Sequence, residues 1–153
     1  MMKFTDIDEI YNVIGQEMFD SLPEKWDRAT LEVNLDSLDI AITIGAKFSF
    51  NGTESAFNLY KRNGKIYSSG IGEAFFSLYK IMRKNEQDVP WNKARFEITS
   101  EGDFTIDFKY DEDFAYLNSL DPDNDRYPSS DEILAIESWQ GLAEDYPRYW
   151  KKH

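Results

Sequence analysis

The sequence predicts an α+β domain, a largely antiparallel sheet of about five to six strands packed with about three helices, on three observations. Two stretches carry apolar residues at the three-four spacing of a helix face. Around them run segments that alternate apolar and polar residues, the period of a strand with one buried side. Asn-Gly and Gly-containing junctions separate several of those segments at hairpin distance.

The first helix is expected from Thr5 to about Ser21, because Ile7, Ile10, Tyr11, Ile14 and Met18 form one stripe, Thr5 or Asp6 can cap its start, and Pro23 lies beyond its end. Ala29, Leu31, Val33 and Leu35 then alternate with Arg28, Thr30, Glu32 and Asn34, which predicts a half-buried strand. A second strand follows, with Leu38, Ile40, Ile42, Ile44, Ala46, Phe48 and Phe50 on one face, and Asn51-Gly52 supplies the hairpin turn. A third strand is expected to contain Phe57 and Leu59, and Asn63-Gly64 to return a short strand around Ile66 and Tyr67. The second helix fits Ile71 to about Lys84, lined by Ile71, Phe75, Leu78, Tyr79 and Met82, with Lys80, Arg83 and Lys84 favouring its C-terminal end. Ala94, Phe96 and Ile98, then Phe104, Ile106, Phe108 and Tyr110, predict a hairpin across Ser100-Glu101-Gly102 that buries Phe96, Ile98, Phe104, Ile106 and Phe108. Residues 111–129 read as an acidic, turn-rich connection, and Ser129 with Glu132 as a capping box opening a last helix near residues 130–143.

At 153 residues, the chain is expected to form one domain spanning 1–153, and its 41% hydrophobic content is ample for a core. No run suits a membrane span, and the first residues lack the basic start and apolar run of a signal peptide, so a cytoplasmic location without membrane contact is expected. The net charge is -12, which disfavours nucleic acid as a direct partner and favours a basic one. Residues 101–146 hold 14 of the 29 acidic residues and only Lys109 and Arg126 of the 17 basic ones, so the net charge is carried by one stretch.

Chemistry-bearing motifs are scarce. Cysteine is absent, His153 is the lone histidine, and no nucleophile elbow, phosphate loop, dinucleotide fingerprint or zinc-helix motif occurs. No enzyme activity and no cofactor are expected. Asp107 and Asp111 would be an acid-base pair, but both are read as lying on the polar side of the last strand, where a solvated face explains them. Asp121, Asp123, Asp125 and Glu132 match the oxygen spacing of a calcium loop, which makes an acidic calcium-binding or adaptor module the rival reading. Arg126, where such a loop needs glycine, argues against a metal there. Late aromatics, Trp139, Tyr146, Tyr149 and Trp150, suit either a docking surface or the packing of a terminal helix, with Trp139 expected in the core.

Three stretches, Leu22-Pro23-Glu24-Lys25-Trp26, Trp91-Asn92-Lys93-Ala94-Arg95-Phe96 and Gly102 to Asp111 (GDFTIDFKYD), resemble in order and separation the YezG-like immunity or antitoxin proteins of bacterial polymorphic toxin systems. The resemblance spans about residues 5 to 115. It implies an immunity protein that neutralises a cognate toxin C-terminal domain, a nuclease by association with several family members, without catalytic residues. A nuclease needs a basic cleft, and a compact acidic surface is suited to blocking it. Asp103, Asp107, Asp111, Glu112, Asp113, Asp121, Asp123 and Asp125 are the expected partner-binding residues.

Overall fold

Asp6 takes an extended conformation and its carboxylate accepts from the N–H groups of Asp8 and Glu9, starting helix α1 (Ile7–Ser21). Those donors have no preceding turn to bond to, so a short acceptor there stabilises the helix end. The computed structural model describes residues 6–37, 41–59, 61–62, 65–66 and 70–151. Leu38, Ile40, the Asn63-Gly64 turn and Tyr67, all assigned to strands or turns above, lie outside them.

Three strands carry the sheet's centre: β1 (Arg28–Ser37), β2 (Ala41–Phe50) and, later in the chain, β6 (Lys93–Thr99). Strand β3 (Thr53–Ala56) borders β2 and β7 (Phe104–Lys109) borders β6, giving the antiparallel order β3-β2-β1-β6-β7. Two short strands, β4 (Lys61–Arg62) and β5 (Lys65–Ile66), pair separately. On one face, Ala29, Leu31, Val33 and Leu35 of β1 and Ala94, Phe96 and Ile98 of β6 are buried, as the alternation requires. Helix α1 and helix α2 (Ile71–Met82) cover that face with Ile10, Ile14, Met18, Ile71, Phe75 and Leu78, all fully buried. Trp91 completes this core, edge-on to Tyr79 at 5.4 Å and tilted against Phe108 at 5.3 Å.

Four expectations are corrected. Strand β3 ends at Ala56, before Phe57 and Leu59, because the chain turns inward there: Leu59 is buried and Phe57 meets Phe48 edge-on at 6.1 Å. Phe104 is 46% exposed, since β7 is the sheet's edge among the described residues; Tyr11 meets it edge-on and Phe96 stacks on it. Asp111 is not on the strand; it caps a helix, α3 (Glu112–Ser119), inside the stretch read as turns. Helix α4 opens on the expected box, with Ser129 and Glu132 bonded reciprocally, but spans Ser130–Glu137 rather than continuing to residue 143.

Candidate interaction surface

The other face of the sheet is polar, and the chain from Asp111 to Lys151 folds over one end of it. Lys93 decides how. Its position on β6 points it away from the apolar core, yet it is fully buried. Its ammonium donates to Asp111 Oδ2 at 2.7 Å and to the backbone oxygens of Ile136 and Ser138 at 2.6 Å each. Three donors thus meet three acceptors. Two of these are carbonyls at the C-terminal end of α4, where a cation is favoured by the helix dipole. The Phe114 ring lies 5.6 Å from the same nitrogen.

Asp111 is held on every side. Its N–H donates to Asn92 Oδ1 at 2.7 Å, its C=O accepts from Asn92 Nδ2 at 2.9 Å, and Oδ1 accepts from Phe114 N–H at 3.0 Å. Gly141 approaches closely enough that a Cβ on it would stand 2.6 Å from Asp111 Oδ2, and its φ of +70° is one that side chains rarely adopt. Asp113, also buried, accepts from Arg148 Nε and Nη2 and pairs with Lys151 at 3.0 Å. The Arg148 hydrogen bonds, foremost, hold its carboxyl below the usual range against the opposing effect of burial. Phe114, Ile136 and Trp150 form a small second core beside these charges. Lys109, opposite Lys93 in the ladder, lies 4.6 Å from the centre of the half-buried Trp139 ring; burial first, then Lys93, lowers its pKa.

These pairings sort the sequence-predicted acidic residues. Asp103, Asp107, Glu112, Asp121 and Asp123 are exposed, and Asp125 is half-buried with Oδ2 accepting from Asp121 N–H. Asp111 and Asp113, expected on a solvated strand face and the loop after it, are instead inside the fold with their charges answered by Lys93, Arg148 and Lys151. The oxygens of the calcium-like spacing are engaged locally. Asp121 accepts from Asp123 N–H and Asn124 Nδ2, while Glu132 accepts from Ser129 N–H and the Tyr146 hydroxyl. Among the described residues no group of three or more His, Cys, Asp or Glu side chains is disposed to hold a metal.

In the stretch Trp91 to Phe96, Trp91, Ala94 and Phe96 fill the main core, Asn92 and Lys93 fix Asp111, and Arg95 pairs with Glu97. The stretch lies inside residues 7–126, which match the family model of the YezG-like immunity proteins. This chain belongs to that family. As a YezG-like immunity protein it is an α+β domain whose role is immunity, and the family implies a toxin as partner. It is 24% identical over 116 residues, 68% of each chain, to the "Type VII secretion system protein EsaG" of Staphylococcus aureus. The family match ends before α4, so Arg148, Lys151 and Gly141 of the polar-face cover lie beyond it. Among the described residues no helix is long and apolar enough to cross a membrane.

Sequence reasoning missed Lys93, Gly141, Arg148 and Lys151. A signal existed for one of them: Gly141 is the lone glycine after residue 102.

Proposed function

We propose that this immunity protein acts in the cytoplasm, without catalysis, by laying its acidic surface into the basic substrate cleft of a cognate toxin C-terminal domain that is a nuclease. The observation that carries this reading is the acidity of residues 101–146 together with the exposure of Asp103, Asp107, Glu112, Asp121 and Asp123, which form no ion pair among the described residues. Asp125 borders this group, and Asp111 and Asp113 support it from inside. A phosphate-binding cleft concentrates positive potential, so an acidic surface associates with it quickly and blocks it without chemistry.

The test is association with a cognate toxin C-terminal domain. The on-rate should fall as the screening length shortens from about 10 Å at 0.1 M salt to about 3 Å at 1 M. Reversal of Asp103, Asp107, Asp121 and Asp123 to Lys should slow association about tenfold or more and abolish cell protection, whereas reversal of Glu54 and Glu73 should do neither. Full protection by the acidic-surface variant, at unchanged thermal stability, would remove this surface from the mechanism.

A further inference from the structure

Strand β7 closes the sheet on one side, and no strand borders its outer edge among the described residues. The ladder to β6 determines which of its backbone groups are spare. Thr99 N–H donates to Asp103 O at 2.8 Å, Asn92 N–H donates to Lys109 O at 3.0 Å, and on the other side of β6 Ser100 N–H donates to Asp27 O. Thr105, Asp107 and Lys109 therefore turn their N–H and C=O groups inward to β6. Phe104, Ile106 and Phe108 turn theirs outward, with no partner among the described residues.

Proteins usually blunt such an edge with proline, a bulge or charges of one kind. This edge has six residues, no proline, and opposite charges near its ends: Asp103 just before it and Lys109 as its last residue. Those charges choose one self-pairing. With a twofold axis at Ile106, Phe104 faces the copy's Phe108, Thr105 faces the copy's Asp107, and Asp103 faces the copy's Lys109, twice by symmetry. All three outward residues then meet outward residues, so every spare N–H finds a C=O. An axis at Thr105 would oppose Asp103 to the copy's Asp107, and one at Asp107 would oppose that carboxylate to itself. An axis at Phe108 would run Phe104 against Glu112, which is helical. Self-complementarity of both hydrogen bonds and charge in a single register is what a random edge lacks.

We propose that a second copy of this chain pairs antiparallel along β7 about Ile106, joining the two five-stranded sheets into one continuous sheet. The net charge of -12 opposes association, but at 0.15 M salt that repulsion is screened beyond about 8 Å, while the paired strands lie within about 5 Å. Pairing engages Asp103 and Asp107 and leaves Glu112, Asp121 and Asp123 exposed, so reversal of Asp121 and Asp123 alone tests the toxin reading apart from it.

The experiment uses the full chain at physiological salt. Sedimentation equilibrium should show twice the monomer mass, and raising the concentration should slow amide exchange at Phe104, Ile106 and Phe108 but not at Thr105 or Asp107, already bonded to β6. Asp103→Lys or Lys109→Asp alone should weaken the dimer about tenfold, and the two together should restore it to within about threefold, a rescue that a role of either residue within the monomer would not produce. Phe104→Pro, which removes an outward N–H without touching the β6 ladder, should give a monomer. A chain monomeric at every concentration, an association indifferent to the charge swap, or edge amides protected only when the toxin domain is added would each overturn the proposal.

Discussion

The helix-covered face of the sheet and the face covered by residues 111–151 are both closed, but by different chemistry. On the first, Leu31, Val33, Phe96, Phe75 and Leu78 are fully buried among other apolar side chains, and the gain is area removed from water, spread over many contacts. On the second, a buried ammonium, the half-buried Asp111 and buried Asp113 carboxylates and two further cations are arranged around a small cluster of Phe114, Ile136 and Trp150. There the closure depends on pairing, because a buried charge without its partner is costly whereas a missing methylene leaves only a gap. The first face tolerates error locally; the second depends on a few atoms.

Two truncations with the largest expected effects set these faces against each other. Phe96→Ala should destabilise the whole domain by about 3 to 5 kcal/mol, read as a lower denaturant midpoint by every probe. Lys93→Ala should cost a similar amount, about 3 to 5 kcal/mol, by leaving Asp111 and two helix-end carbonyls unanswered. Its signature is different: amide protection should be lost first in residues 111–151 while α2 stays protected. Replacing Lys93 and Asp111 together by apolar residues of similar size should be less damaging than Lys93→Ala, because no orphan charge remains. Uniform loss of protection in both single variants would erase the distinction between the faces.

Gly141→Ala should come next. A positive φ and a Cβ set against the Asp111 carboxylate should cost about 2 kcal/mol and loosen the same residues as Lys93→Ala, with little effect on α1 or α2 by hydrogen exchange. The mildest perturbation is acid. Asp113 has a folded-state pKa below its unfolded value, so the unfolded chain takes up the proton more readily. Its contribution is present above the ordinary carboxylate value, near 3.8, and is lost as pH falls from there through the depressed folded value. Asp113→Asn should flatten that part of the stability-pH curve, measured by denaturant melts at stepped pH, and leave the curve above pH 5 parallel to the parent's.

Amphipathic period alone placed α1, β1, β2, α2 and the β6–β7 hairpin, and the Ser129–Glu132 box placed the start of α4, because each of these signals is local: the residues that specify the element are neighbours in the chain. The concentration of acid in residues 101–146 and the family were likewise readable, the latter from three short stretches that the structure shows to be turn, core and clamp. What only the tertiary structure decided is which charges are left over. Lys93 finds Asp111 18 residues away and Ser138 45 residues away, and Arg148 finds Asp113 at 35. No periodicity encodes such meetings, since ion pairing depends on where two distant segments are brought together rather than on either segment's own pattern. Burial at a sheet edge follows the same rule. Phe104 has the alternation of a core residue and is half in solvent because nothing in its own strand says that the sheet stops there.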